Sequence, residues 1–216
     1  MIIDIVSDVI CPWCYIGKRR LERALAMAPQ PDVQITWRPF QLNPDMPPEG
    51  MDRGAYLIAK FGAAKGGSMY DRVRAAGAED GIAFAFDLIK RTPNTIKPHR
   101  LIRWAGNAGF QGALVEALFQ AYFLAGQDLS DDATLIRIAH GAGCDADAVA
   151  SYLASDADAE QIRSEDAFAR QAGINGVPCF IIDHKFAISG AQPPEAFIEV
   201  FDLARREVEA PTPGLV

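Results

Sequence analysis

Near its start, the chain has a short run of apolar residues, then a segment in which apolar residues recur with the period of a helix. A segment in which apolar and polar residues alternate follows. Residues 2–6 are mostly β-branched and predict a buried strand. From Pro12 to Ala28 apolar residues recur every three or four positions, opposite a charged face, which predicts an amphipathic helix that Pro29 ends. Residues 33–37 alternate and predict a second strand. A strand, a helix and a strand in this order predict two parallel neighbours in one sheet.

The segment PFQLNPDMPPEG then breaks this pattern, and a long, mostly helical stretch follows. Pro98 is typical of the first position of a helix, and Ser130 is typical of an N-cap. A later helix ends at Gly173, which suits the left-handed position just after a helix. Another helix carries one continuous apolar stripe, made of Leu114, Val115, Leu118, Phe119 and Tyr122.

The last part of the chain predicts a β-hairpin and a final helix. In the stretch GVPCFIIDHKFAISG, residues 179–182 and 186–189 form two short apolar strands around a tight polar turn. Pro193 and Pro194 start the final helix, which is expected to run to about Arg205.

The order of these elements predicts an α/β protein with a thioredoxin-like fold. The thioredoxin order, β-α-β followed by α-β-β-α, is interrupted here by an inserted all-helical domain. We expect residues 1–45 and 156–216 to form the thioredoxin-like domain and residues 46–155 to form the insertion.

The composition is that of an ordinary soluble protein, since 50% of the residues are apolar and 23% are charged. The net charge of −7 and the pI near 5.0 argue against nucleic acid as a general partner, because phosphate binding requires a basic surface. The start of the chain lacks the basic and long apolar regions of a signal peptide. No apolar run approaches the roughly 18 residues that a membrane helix needs. We therefore expect a cytoplasmic protein with no membrane partner.

Two of the four cysteines form the motif CPWC at residues 11–14, just past the first strand and at the start of the helix. So few cysteines do not make a secreted disulfide framework, and cytosolic disulfides are mostly catalytic or transient. Free N–H groups and the positive end of the helix dipole favour a thiolate at Cys11, which would attack a substrate disulfide. Cys14, one turn further on, would then resolve the mixed disulfide. Pro12 suits the first helical turn, and Trp13 offers a flat apolar surface to an extended peptide.

Two other interpretations of the motif are open. The two cysteines could be small core residues without chemistry. They could also be half of a zinc site, for which the chain offers only His140 and Cys144 as a second pair. We favour the redox interpretation and expect no metal site.

A second element of the site is expected at Val177-Pro178, just before the hairpin. On its own an X-Pro pair is a weak signal, because proline is common where a strand begins. In a thioredoxin-like fold this point faces the CxxC motif and its peptide bond is cis. The main chain of Val177 would then turn outward and pair with a substrate strand. Cys179 follows directly, and we favour a packed core thiol there over a second redox partner.

Along nearly its whole length, the chain resembles the DsbA-like branch of the thioredoxin superfamily, in the group described as FrnE-like or 2-hydroxychromene-2-carboxylate isomerase-like. The stretches that carry this resemblance are SDVICPWCYIGKRRLERAL, WRPFQLNPDMPPEG, NTIKPHRLIRWA, GINGVPCFIID and SGAQPPEAF. The resemblance implies that members with CPWC are dithiol–disulfide oxidoreductases or isomerases, with Cys11, Cys14 and Pro178 as catalytic residues. The relatives named for chromene isomerisation, and the kappa-class glutathione transferases, typically carry serine where Cys11 stands and use glutathione.

The resemblance also implies two further contact regions. Asn94 and His99 would lie in the wall over the active site, with a polar loop cluster and a helix start as the alternative. In the glutathione-using relatives, the main chain of Val177 and the segment at residues 189–192 contact the tripeptide. Gly190 would then offer free N–H groups to a carboxylate, although a plain strand-to-helix turn is the favoured alternative.

The charged residues near the motif lead to two further predictions. Asp4 and Asp8 flank the first strand, and thioredoxin-like proteins often need an acid near the buried cysteine as a proton acceptor. Strand alternation does not decide which of the two points that way. Lys18, Arg19 and Arg20 are expected to form a solvated helix face that could add to the positive field at the motif.

We therefore expect an enzyme that reduces or isomerises the disulfides of proteins or peptides, with no tightly bound cofactor beyond the redox pair Cys11 and Cys14. The alternative is a glutathione-dependent isomerase or transferase that acts on a small aromatic compound, with Cys14 as a bystander. A third hypothesis is a chaperone or binding module whose helical domain presents an apolar groove and which works without either cysteine. A homodimer is an expectation from the resemblance alone.

Overall fold

A four-stranded sheet organises the fold. The computed structural model describes residues 1–62 and 66–209 of the chain. Its strands are, in chain order, β1 (Ile2–Ser7), β2 (Gln34–Pro39), β3 (Met51–Asp52), β4 (Arg91–Thr92), β5 (Cys179–Ile182) and β6 (Phe186–Ser189). Its α-helices are α1 (Pro12–Met27), α2 (Arg53–Phe61), α3 (Gly66–Glu79), α4 (Ile96–Asn107), α5 (Gln111–Phe123), α6 (Asp132–Gly141), α7 (Ala146–Ala154), α8 (Ala159–Gln171) and α9 (Pro194–Glu209).

The strands of the main sheet lie in the order β2-β1-β5-β6. β1 runs parallel to β2, with Ile3 beside Ile35, and antiparallel to β5, with Ile5 beside Phe180. β5 and β6 form the antiparallel hairpin. The predicted parallel pair, the hairpin and the thioredoxin-like order are confirmed.

Apolar residues cover both faces of the sheet, because successive side chains along a strand point to opposite faces. Ile3 and Ile5 of β1 belong to a large buried cluster that also contains residues of α1 and α9. Val6 and Cys179 belong to a smaller cluster, which includes Ala169 of α8. α1 is thereby held against the sheet, and its first turn lies next to the end of β1.

The helical part of the chain packs on the sheet through the same large cluster. Tyr15 of α1 stacks on Phe119 of α5 with the ring centroids 5.0 Å apart, and Trp37 of β2 meets the same ring edge-on at 6.2 Å. One cluster runs from the sheet into the helices, so the predicted boundaries after residues 45 and 155 stay a prediction. Parts of the predicted domains, residues 63–65 and 210–216, lie outside the described residues.

The structure differs from the predicted elements at three places. The N-cap of α6 is Asp131, whose side chain accepts from the Thr134 N–H, and not Ser130 one residue earlier. α4 begins at Ile96, so Pro98 is its third residue and not its first; a missing N–H there still breaks no intrahelical hydrogen bond. The two-residue strands β3 and β4 pair with each other and were not predicted, because so short a ladder has no periodicity to detect. No helix within the described ranges has both the length and the apolar character that crossing a membrane requires.

Candidate active site

Cys11 occupies the N-cap position of α1, with Pro12 as the first helical residue. Its side chain makes no capping hydrogen bond, and the first turn of α1 carries no acidic residue. The Cys11 N–H donates to the Asp8 carbonyl and the Cys14 N–H donates to the Cys11 carbonyl, both at 3.0 Å, which fixes the loop from β1 into the helix. The Cys11 sulfur is thus placed where a helix N-terminus favours an anion.

Cys14 lies one turn further along α1 and is fully enclosed, with 1% of its surface exposed. Burial raises the pKa of Cys14 well above its usual value, and the neighbouring Cys11 sulfur raises it further. The Ser7 hydroxyl and the Asp8 main chain lie beside the Cys14 sulfur and act in the opposite direction, lowering its pKa. Both cysteines are free thiols. In this state burial disfavours the loss of the Cys14 proton, so Cys14 needs a proton acceptor before it can react.

The Val177-Pro178 segment forms the opposite wall of the site. Its peptide bond is cis, as predicted, and the Cys11 thiol donates to the Val177 carbonyl at 3.5 Å. Pro178 is buried, whereas Val177 is partly exposed, and so are Pro12 and Trp13. Cys11 itself is buried, with 5% of its surface exposed, and these partly exposed neighbours form a rim beside it.

Close packing between α1 and this wall depends on Gly17. A Cβ at position 17 would lie 2.9 Å from Cγ of Pro178 and 3.0 Å from Cζ of Phe180. Both neighbours are buried, and neither is the far end of a flexible side chain. The approach of Pro178 to α1 therefore requires glycine at position 17.

Gly17→Ala is expected to lower the free energy of unfolding by about 1 to 3 kcal/mol, because the added methyl group overpacks the contact with Pro178. Urea denaturation measures the loss. Gly112→Ala in the first turn of α5 is the matched control: its Cβ would meet no atom within 4 Å, and we expect a change below about 0.5 kcal/mol. Equal stability of the Gly17→Ala variant and the wild type would contradict the packing argument.

Asn94 and His99 have different surroundings. The Asn94 amide donates to the Met46 carbonyl at 2.6 Å and accepts from the Ile96 N–H at 2.9 Å, so its hydrogen bonds order the loop before α4. His99 is buried, with Nε2 3.2 Å from the Phe40 carbonyl. A substrate-contact role for either residue stays a prediction.

Gly190 does not offer the free N–H group that the sequence suggested. Its N–H donates to the Pro178 carbonyl at 2.8 Å, and its φ of 78° makes the left-handed turn between β6 and α9. The favoured alternative, a plain strand-to-helix turn, is therefore confirmed, and the free donor at Gly190 is wrong, because this N–H holds the Val177-Pro178 wall in place.

The structure separates the two candidate acids. Asp8 is completely buried, and its Oδ2 accepts a hydrogen bond from the Leu42 N–H at 2.7 Å. Asp4 pairs with Arg38 at 2.8 Å and lies 3.5 Å from His184, among groups that do not contact the CPWC motif. Asp8 is therefore the acid next to the motif.

Ser7 is a site residue that the sequence analysis missed. From the last position of β1, its hydroxyl lies beside the Cys14 sulfur and lowers the pKa of that thiol. The signal was available, since a hydroxyl residue at the end of the first strand stands in the stretch SDVICPWC. A strand-end serine is too common for this signal to be specific.

The expectation of a solvated cationic face on α1 is wrong for Lys18. Lys18 is buried, and its Nζ lies 2.7 Å from Oε2 of Glu116 on α5. Arg20 is partly buried and joins Asp80 at 2.6 Å to the Ala191 carbonyl at 2.7 Å. These cations bind neighbouring elements together and are paired with carboxylates.

The remaining cysteines lie outside the site. Cys179 is the first residue of β5 and belongs to the smaller buried cluster with Val6 and Ala169. Burial raises its pKa. Cys144 is buried too, burial raises its pKa, and its carbonyl lies 3.3 Å from Nδ1 of His140. Within residues 1–62 and 66–209, no group of three or more His, Cys, Asp or Glu residues is arranged to hold a metal ion.

Known proteins share this fold, with sequence identities that range from 16% to 34% among those described here. A family model described as a DSBA-like thioredoxin domain matches residues 2–202. A probable DsbA oxidoreductase from Streptomyces coelicolor has a TM-score of 0.87 and 34% identity, covering 100% of this chain and 94% of that one. The cytosolic disulfide reductase DsbM from Pseudomonas aeruginosa, in a structure with GSH, has a TM-score of 0.68 and 16% identity, covering 95% and 100%. A 2-hydroxychromene-2-carboxylate isomerase has a TM-score of 0.68 and 16% identity, covering 98% and 100%. At 16% identity, these last two show the fold alone.

Proposed function

This chain belongs to the DSBA-like thioredoxin domain family, and on that premise we propose that it is a dithiol–disulfide oxidoreductase that reduces or isomerises disulfides. The observation that carries the proposal is the unequal environment of the two CPWC thiols. Cys11, 5% exposed, caps the helix and donates to the Val177 carbonyl, whereas Cys14, 1% exposed, lies one turn further in with a raised pKa. Such a pair has one sulfur to attack and one to resolve.

The reaction follows from this arrangement. The Cys11 thiolate attacks one sulfur of a substrate disulfide, forming a mixed disulfide and releasing the other sulfur as a thiolate. The Cys14 sulfur, after losing its proton, attacks Cys11, and the second substrate sulfur leaves with its electron pair. Two electrons have then passed to the substrate, and Cys11 and Cys14 are joined. A second thiol compound must reduce this disulfide before the next cycle.

The substrate is proposed to be a protein or peptide that adds to the site as an extended strand. Val177 stands at the partly exposed rim beside the Cys11 sulfur, and Trp13 offers apolar surface next to it. With a cytoplasmic location, which the sequence favours, the reducing thiol pool makes reduction or isomerisation the expected direction. Glutathione is a candidate for the thiol that restores Cys11 and Cys14, given the similarity in fold to a reductase solved with GSH.

The test is to equilibrate the protein in a series of glutathione redox buffers, alkylate the free thiols and measure the intact mass. The wild type is expected to convert in one two-electron step to an intramolecular disulfide. The matched variant Cys14→Ser is expected to stop at a single glutathione adduct on Cys11, because no second sulfur can displace it. The midpoint potential then sets the direction, since about 30 mV corresponds to 1.4 kcal/mol for a two-electron couple.

A lasting single glutathione adduct on wild-type Cys11, with Cys14 still open to alkylation after unfolding, is incompatible with a resolving role for Cys14. That result would support glutathione-dependent chemistry on a small aromatic compound instead. An activity that survives the loss of both cysteines would support a binding or chaperone role.

A further inference from the structure

A cleft of about 420 Å³ reaches the end of β1 from the side of β2 and the turn between α4 and α5. Asn107 and Gly109 are exposed at its outer wall, whereas Ser7 and His99 are buried at its inner end. None of the described residues that line it belongs to the CPWC motif or to Val177-Pro178. The cleft is therefore a separate approach to the active site, distinct from the rim where substrate meets Cys11.

Ser7 connects this cleft to the buried resolving cysteine. Its hydroxyl lies beside the Cys14 sulfur and lowers the pKa of that thiol, and Ser7 also lines the cleft. Burial raises the pKa of Cys14, so this thiol needs a proton acceptor before it can attack near neutral pH. A hydroxyl can accept one proton while it donates its own, which suits Ser7 to pass a proton outward.

His99 lies at the same end of the cleft and can hold that proton. Its Nε2 is 3.2 Å from the Phe40 carbonyl, which only accepts hydrogen bonds, so the ring proton is assigned to Nε2. Nδ1 is then the basic nitrogen, and it has no hydrogen-bond partner among the described residues. A neutral histidine in this tautomer takes up a proton at Nδ1.

Asp8 supplies the charge that stabilises a protonated His99. Its Oδ1 is completely buried, has no hydrogen-bond partner within the described part of the chain and lies 3.5 Å from Nε2 of His99. A buried carboxylate oxygen without a partner is costly, and an imidazolium beside it offsets that cost. Asp8 and His99 together can therefore hold one proton with their charges balanced.

We propose that Ser7 and His99 form a proton-release route for Cys14 through this cleft, with Asp8 as the residue that positions and stabilises the protonated His99. The inference rests on the proposed function, because it concerns the resolving step. Ser7 contacts the reacting sulfur, whereas Asp8 and His99 act through Ser7 and the solvent of the cleft.

In the mixed disulfide the Cys11 sulfur carries no charge and no longer attracts the Cys14 proton. The Cys14 S–H therefore turns to the Ser7 oxygen and gives up its proton. The Ser7 hydroxyl passes its own proton to solvent in the cleft and on to Nδ1 of His99. The Cys14 electron pair forms the bond to the Cys11 sulfur, the bond from Cys11 to the substrate sulfur breaks, and the substrate leaves as a thiolate that solvent protonates. His99 returns its proton to solvent.

The other charged groups around the cleft do not compete for this proton. The walls also carry Arg38 of β2, Arg103 of α4 and Glu165 of α8. Arg38 pairs with Asp4 at 2.8 Å, and Arg103 pairs with Glu165 at 2.6 Å. A guanidinium group has no acceptor atom, and the Glu165 carboxylate is already paired with Arg103, so these groups are not available to take the proton.

The test separates attack from resolution with dithiobis(nitrobenzoate), a symmetric aromatic disulfide whose thiolate product is coloured. At equal, low concentrations of protein and reagent, attack by Cys11 releases the first coloured thiolate and resolution by Cys14 releases the second. Stopped-flow absorbance is recorded between about pH 5 and 9, with Cys14→Ser marking the first phase alone.

Ser7→Ala and His99→Gln are expected to keep the first phase within about twofold and to slow the second by on the order of tenfold to a hundredfold. The rate of the second phase is expected to reach half of its maximum at a higher pH in His99→Gln than in the wild type, because hydroxide must then take the proton. Ser7→Thr, which keeps the hydroxyl, is expected to restore most of the rate. Thr36→Val, which removes a hydroxyl elsewhere on the cleft wall, leaves both phases unchanged.

Two results overturn the inference and are distinct from each other. If the wild type shows both phases and Ser7→Ala resolves as fast as the wild type at every pH, the proton does not leave through Ser7, whatever the state of the His99 variant. If the wild type shows no second phase, the proposed function fails and this route fails with it. Ser7→Ala only removes one oxygen, so the test does not depend on whether His99→Gln folds.

Discussion

Cys11→Ser is expected to lower disulfide exchange by about a thousandfold or more. The serine hydroxyl is not ionised near neutral pH, and the helix N-terminus that favours a thiolate cannot supply the missing sulfur nucleophile. No mixed disulfide can form, so both coloured phases with dithiobis(nitrobenzoate) vanish together. The fold should be nearly unaffected, because serine is close to cysteine in size and the Cys11 side chain makes no capping hydrogen bond.

A control variant must show that the loss of a cysteine outside the active site does not slow disulfide exchange. Cys144→Ala removes a buried cysteine between α6 and α7, outside the active site, and is expected to keep both phases. A Cys11→Ser variant that retains more than about a tenth of the wild-type rate would show that another group attacks the disulfide. The same variant also tests the alternative function, since the resemblance implies that chromene isomerase-like relatives carry serine at this position. Glutathione-dependent isomerisation that survives Cys11→Ser would favour that alternative.

The order of elements and the place of the CPWC motif could be predicted from local patterns. Helical periodicity after Pro12 and alternation at β2 are properties of neighbouring residues, and the strand-helix junction then places Cys11 at an N-cap. The pairing of Cys11 with Val177 across the chain required knowledge of the fold, and the structure confirms the contact at 3.5 Å.

What could not be predicted depends on contacts between distant segments. The spacing of Lys18 placed it on the charged face of α1. Its partner Glu116 is far away in the sequence, and the residues around Glu116 do not indicate that its carboxylate pairs with α1. The role of Gly17 likewise appears only when Pro178 is placed against α1. Side chains that join separate elements escape a periodicity analysis, because periodicity describes one element at a time.

The pair formed by Lys18 and Glu116 joins the helix that bears the motif to α5. Nζ of Lys18 lies 2.7 Å from Oε2 of Glu116, and Glu116 also accepts hydrogen bonds from Tyr15, at 2.9 Å, and from Arg19. Burial by itself would raise the pKa of Glu116, but Lys18, with help from Tyr15 and Arg19, lowers it below its usual value. The carboxylate therefore contributes stability in its charged form.

Glu116→Ala is expected to lower the free energy of unfolding by about 2 to 4 kcal/mol at neutral pH, because it leaves the ammonium group of Lys18 buried without this partner. Glu22→Ala is the matched control, since Glu22 also pairs with Lys18 and Arg19 but is 45% exposed, and we expect a loss below about 1 kcal/mol. The pKa of Glu116 is lower in the folded than in the unfolded chain. Its stabilisation is therefore complete above the unfolded value and declines as the pH falls through the folded one. Urea denaturation at neutral pH and in acid should show the gap between wild type and Glu116→Ala narrowing as the pH falls. A gap that stays constant across this range would mean that Glu116 stabilises the protein through packing and not through its charge.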